Sequence, residues 1–122
     1  MDWTTKVWGR TRHVFASPEA SIWELDVVRG GYCSRHRHKT RANLFVVVRG
    51  NVQVTTWDAK DRPRTFHLTA GTRAMLRVPA GVWHRFEAVG PAQIVEMYLP
   101  DGGAIDENDI ERADEGGVRA AA

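Results

Sequence analysis

The sequence holds a single cysteine, Cys33, so no intramolecular disulfide can form and no argument can rest on a disulfide framework. No segment approaches the roughly 18 consecutive apolar residues that span a bilayer. The first residues, "MDWTTKVWGRTRH", also lack an apolar run of signal-peptide length. These absences fit a soluble protein of the reducing cytoplasm with no membrane partner. Charge of one sign is scarce too: 17 Lys and Arg against 15 Asp and Glu leave +2, too little to imply a nucleic-acid partner. The charge is nonetheless uneven. Arg35, Arg37, Lys39 and Arg41 stand close together and the acids gather after Asp101, so a local anionic ligand is better supported than a polyanion.

A helical period of two turns or more is missing before Pro100. What is present is short alternation broken by turn residues: "SIWELDVV" ending at Gly30-Gly31, then "RTFHL", "RAMLRV", "WHRFEA" and "QIVEMYL". About eight short strands, spaced about 8 to 12 residues apart, make the chain all-β, a sandwich or barrel. The 122 residues suffice for one core that buries roughly two thirds of the unfolded surface. In "NLFVVVRGNVQVTTW" two β-branched runs flank Gly50-Asn51, which predicts a β-hairpin with its tight turn there. Residues 1–100 are expected to form the barrel. Residues 101–122, "DGGAIDENDIERADEGGVRAAA", are expected to form an acidic, partly flexible tail with one helical turn between Asp106 and Arg112.

The stretch "GGYCSRHRHKTRANLFVVVRGN" carries the chemistry. In an extended strand, residues two apart share a face, so the imidazoles of His36 and His38 can reach one ion while Arg35, Arg37 and Lys39 face the other way. Asn43 stands an odd number of residues after His38, and a turn or bulge around Thr40 to Ala42 would bring it to the same side. Cys33 is off that face by parity and reads as structural. An isolated His-x-His pair also occurs on solvated strands that bind nothing.

The wider pattern resembles the cupin family. Gly30, His36, His38, Asn43 and Gly50 keep the spacing of the first cupin motif with asparagine in place of glutamate, and "PAGVWH" resembles the second through Pro79, Gly81 and His84. The likeness spans roughly Trp23 to Leu99. It implies a single-domain double-stranded β-helix, a jelly-roll barrel, in which His36, His38, His84 and Asn43 surround a divalent transition metal: zinc, nickel, manganese, iron or copper. Neutral imidazole nitrogens converging from rigid strands, with positions left open, are the chemistry such an ion requires. Two departures matter. Asn43 offers a neutral amide where the family carries a carboxylate, which lowers the expected metal affinity and leaves a metal-free ligand pocket as the alternative. The glycine expected six residues before Pro79 is Arg73, with Gly71 two residues too early, which predicts a bulge or a longer turn.

Within that family the segments "VWGR", "LFVVVRGNVQV", "VPAGVWHRFEAVG" and "IVEMYLP" with "IDENDIERADEGG" look like the cupin domain of type II mannose-6-phosphate isomerases. The likeness implies a metal-dependent aldose–ketose isomerisation, in which a base moves a proton between neighbouring carbons. Candidate catalytic bases are Glu24, or Asp26, and Glu96, the last facing inward only if Ile94 and Tyr98 do. His67 has less support. The expected substrate pocket is Phe45, Trp83 and Arg73, for a small-molecule ligand such as a sugar phosphate. Arg77, Arg85 and the Arg35 to Arg41 run are further cations for the phosphate. The likeness also implies a homodimer, with Trp3 and Trp8 as apolar anchors. Two other classes stay open: a non-catalytic sugar-binding cupin with Phe86 also lining the pocket, and a three-histidine dioxygenase.

Overall fold

The computed structural model describes residues 2–120, among which strands form and no helix does. In chain order they are β1 (Thr4–Lys6), β2 (Gly9–Ala16), β3 (Ser21–Val27), β4 (Gly31–Tyr32), β5 (His36–Arg37), β6 (Arg41–Arg49) and β7 (Asn51–Trp57). There follow β8 (Pro63–Thr69), β9 (Met75–Val78), β10 (Trp83–Ala88), β11 (Ala92–Pro100), β12 (Glu111–Arg112) and β13 (Gly117–Val118). One sheet runs β1-β2-β3-β11-β6-β9; in the other β10 pairs with β7, β5 and β4, β7 pairs with β8, and β12 and β13 extend β5 and β4. The two antiparallel sheets enclose one core as a jelly-roll barrel.

Period-two alternation decides which side chains enter that core. Along β10, His84, Phe86 and Ala88 are buried while Trp83, Arg85 and Glu87 lie half-exposed outside. Leu25, Phe45, Val47, Val54 and Ile94 fill the space between the sheets. Trp8 belongs with them: it is 9 % exposed and meets Phe86 edge-on, ring centroids 5.1 Å apart. It is therefore a core residue, not the dimer anchor expected of it, while Trp3 is covered by the guanidinium groups of Arg10 and Arg12 at 4.1 and 4.4 Å.

Gly50 is a corner, not a hairpin turn. β6 pairs with β11 and β9 in one sheet, and β7 pairs with β10 and β8 in the other, so the chain crosses between sheets at this point. Gly50 adopts φ +86°, and an added Cβ would lie 2.5 Å from the Pro91 carbonyl oxygen, so glycine is required for the close approach. The hairpin lies one strand later, β7 to β8, where the Asp58 carboxylate accepts from the backbone N–H groups of Lys60 and Arg62 at 2.9 Å. The longer turn expected before β9 is present, with Gly71 at φ +90° and a bridge from Thr69 to Arg73.

The helical turn expected between Asp106 and Arg112 does not form. The segment is committed to the barrel: the Asp109 carboxylate accepts from Lys39 N–H at 2.8 Å and Thr40 N–H at 2.9 Å, and β12 pairs with β5. Outward arginines hold the rest of the tail, Arg37 to Glu111 at 2.9 Å and Arg85 to Asp114. Among the described residues no helix is long and apolar enough to cross a membrane.

Candidate metal centre

Three buried imidazoles converge inside the barrel, two of them from strands. His36 on β5 lies opposite His84 on β10, and His38 follows at the bend where the chain leaves one sheet for the other. The Gly81 N–H of the "PAGVWH" turn donates to the His38 carbonyl at 2.7 Å, which ties the two motifs together. The three histidines offer ligand nitrogens that all lie within 4.8 Å of one another.

Their tautomers are fixed by the backbone. Each Nδ1–H donates to a carbonyl: His36 to Ser34 at 2.6 Å, His38 to Asp109 at 2.6 Å and His84 to Val82 at 2.9 Å. Every Nε2 therefore keeps its lone pair for the centre of the cluster. Burial lowers the pKa of His36 and His84 to about 3 and that of His38 to about 4. Neighbouring positive charge adds to this, from the other histidines and from Arg41, so all three rings are neutral near pH 7.

Asn43, 1 % exposed on β6, reaches the same centre. Its Nδ2 lies 3.3 Å from both His38 Nε2 and His84 Nε2 and donates to Glu96 Oε2 at 3.0 Å, while Oδ1 is buried with no partner among the described residues. A half-turn of the amide would put that orphan oxygen where the NH2 group stands. Three neutral nitrogens and a free amide oxygen fit a divalent cation of the zinc, manganese or iron type. The three histidines are accordingly placed to hold one divalent metal ion.

Glu96 on β11 faces inward, and burial raises its pKa to about 7 against the opposing pull of Arg41. Arg41 is only 2 % exposed: its guanidinium lies 3.7 Å above the Tyr98 ring and Nη1 donates to the Asp106 carbonyl at 2.7 Å. Beside the histidines opens a cavity of about 610 Å³ whose wall includes Trp23, Arg41, Glu96 and Tyr98, with Glu107 and Ile110 of the tail at its edge. That volume is within the usual range for small-molecule sites.

Other expected residues lie elsewhere. Glu24 points out of the barrel and pairs with Arg12 at 2.8 Å, and Asp26 pairs with Arg10 at 2.8 Å, because Trp23, Leu25 and Val27 take the inward positions of β3. Phe45 is core beneath the site, its ring 5.9 Å from that of His84. Trp83 is on the outer face under Arg37 at 4.6 Å, and Arg73 and His67 are exposed. Phe45, Trp83 and Arg73 therefore do not form the cavity wall. Sequence reasoning passed over Trp23 as a pocket residue and named Arg41 only within a run of candidate phosphate cations. The apolar parity of β3 could have found the first; the second was hidden in a basic run whose other members Arg35, Arg37 and Lys39 are on the outside.

Residues 23–98 match the family described as Cupin domain. Over 105 residues the chain is 29% identical to the mannose-1-phosphate guanylyltransferase of Klebsiella pneumoniae, a match covering 86% of this chain and 21% of that protein. A structure of the R92A mutant of Bacillus subtilis oxalate decarboxylase superposes with TM-score 0.78 at 20% identity, covering 92% of this chain and 30% of that one. A second structure of the same decarboxylase, from a study of its Mn(II) centres, superposes with TM-score 0.77 at 20% identity over the same shares. The chain thus spans about a fifth of the curated relative's length and under a third of the decarboxylase.

Proposed function

Because this chain belongs to the cupin domain family, we propose that it is a divalent-metal enzyme interconverting aldose and ketose forms of a sugar or an acidic sugar derivative such as a sugar phosphate. The observation that carries this reading is Glu96, a buried, inward-facing carboxyl 3.0 Å from Asn43 Nδ2 and on the wall of the cavity with His36 and His38. A carboxyl whose pKa burial raises can take and return a proton, which suits moving a proton from one carbon to its neighbour and back. The bound cation would supply Lewis-acid polarisation of the neighbouring carbonyl and hydroxyl oxygens.

The remaining roles belong to this chain's own side chains. As the amide stands, Asn43 Nδ2 donates to Glu96 Oε2 at 3.0 Å and orients the carboxylate; turned toward a cation, its oxygen would accept from the protonated carboxyl instead. Arg41 opposes the effect of burial and keeps part of the Glu96 population ionised. A sugar phosphate as substrate is supported by the name of the Klebsiella relative, which concerns mannose 1-phosphate.

The test is exchange of substrate protons with solvent deuterium, followed by NMR on a panel of aldoses and their phosphate and carboxylate derivatives. Exchange that stops on adding a chelator and in Glu96→Gln, with metal content kept in that variant, is the expected result. A metal-loaded protein that exchanges no member of the panel would contradict the reading.

A further inference from the structure

Two buried hydrogen-bond donors on the wall of the cavity have no acceptor among the described residues: Arg41 Nε and Trp23 Nε1. An unpaired buried donor is costly, and both side chains belong to the wall of one cavity, so the pair marks a place where an acceptor brought by a ligand would be favoured. The two are linked through Tyr98, whose ring lies 3.7 Å below the Arg41 guanidinium and 6.1 Å from the Trp23 ring. Both side chains are held in place. Trp23 stacks on His13 at 4.3 Å, nearly parallel at 10°, and Arg41 Nη1 is anchored on the Asp106 carbonyl at 2.7 Å.

Charge narrows the acceptor further. Arg41 is 2 % exposed, and no carboxylate lies within ion-pair distance of it among the described residues. The other cations of the wall, Lys6 and Arg112, are exposed and solvated. A buried guanidinium without a carboxylate partner calls for an anionic acceptor. A planar group with two acceptor oxygens also suits a guanidinium edge and an indole N–H better than a tetrahedral one.

We propose that Arg41 and Trp23 form a carboxylate-binding subsite, so that the ligand of this cavity is a sugar acid of monosaccharide size, held by its carboxylate at one end while its other end reaches the histidine cluster. This rests on the reading of the cavity as a metal-enzyme site and narrows its substrate to the hexuronate class. Trp23 and Arg41 are positioning and binding residues, and Glu96 remains the proton carrier.

Calorimetric titration of the zinc-loaded full chain with D-glucuronate, D-galacturonate, D-mannuronate, D-glucose and D-glucose 6-phosphate tests it. At least one uronate should bind at least about tenfold more tightly than glucose and than the phosphate ester. Trp23→Phe, which keeps the ring and removes only the N–H, should weaken uronate binding about 5- to 20-fold and leave glucose unchanged. Arg41→Lys, which keeps the charge and loses the planar fork, should weaken it at least as much, and both variants should hold zinc as the parent does. Tighter binding of the phosphate ester, equal binding of glucose, failure of all three uronates, or an unaltered Trp23→Phe would each overturn the proposal. Uronate binding by a protein that does not hold zinc would sink the metal-enzyme reading and leave the carboxylate subsite standing.

Discussion

Replacing Asn43 with glutamate would restore the carboxyl that the family motif carries, and in this chain it would do so beside a second acid. Asn43 Nδ2 lies 3.0 Å from Glu96 Oε2, and the position is 1 % exposed, so the new group could not turn away into solvent. Two like charges about 4 Å apart cost about 4 kcal/mol at an effective dielectric of about 20. Glu96 limits that cost by taking up a proton, since its pKa of about 7 is already raised by burial. The metal-free Asn43→Glu protein should therefore lose about 2 to 4 kcal/mol and melt on the order of 10 °C lower than the parent. With a divalent cation bound the sign reverses, because the added carboxylate becomes an anionic ligand; zinc affinity should rise at least about tenfold. Thermal denaturation with and without chelator and zinc competition against a chromophoric chelator at pH 7.5 read the two effects separately. Adding Glu96→Gln to Asn43→Glu should restore the metal-free stability and keep the tighter binding. Equal or weaker zinc binding in both variants, or a metal-free single variant as stable as the parent, would refute the reasoning.

The buried histidines also set a pH dependence. Below pH 6.5 the unfolded chain takes up protons that the folded chain, with pKa values of about 3 to 4, cannot, and each missing proton costs about 1.4 kcal/mol per pH unit. Glu96 works the opposite way between 4.5 and about 7, because there the folded state keeps a proton that the unfolded state releases. From these four groups the metal-free protein should gain about 2 to 3 kcal/mol of stability per unit as pH rises from 5 to 6; urea denaturation with a flat or falling trend would contradict it. Trp8→Ala should cost about 3 to 5 kcal/mol without changing the oligomeric mass, since the ring packs on Phe86 in the core. A change in mass with little loss of stability would make Trp8 an interface residue after all.

The histidine constellation was readable because its information is local: His36 and His38 share a face by strand parity, and the His84 turn is tied to them by a short glycine-bearing loop. Glu96 followed from the same alternation along β11, where Ile94 also faces in. Along β3 the alternation offered two sets, and hydrophobicity awards the inside to Trp23, Leu25 and Val27, leaving Glu24 to pair with Arg12 on the outside. The glycine at position 50 was recognisable as a point of reversal. Whether such a residue closes a hairpin or turns a corner between sheets depends on distant partners, here the pairing of β6 with β11 and of β7 with β10. The tail was misjudged for a related reason: "ENDIER" has local helical character, but Asp109 gains more hydrogen bonds by docking on Lys39 and Thr40. Arg41 was obscured by its neighbours, since nothing in a basic run marks the one member that turns inward.

The most direct test is elemental analysis by inductively coupled plasma mass spectrometry of the purified full chain beside His84→Ala. The account predicts close to one divalent transition-metal ion per chain in the parent and its loss in the variant, which removes one of three converging imidazoles. A parent that holds no metal after reconstitution with zinc, nickel, manganese, iron or copper salts, or a His84→Ala protein that retains it in full, would contradict the metal centre on which the proposed chemistry depends.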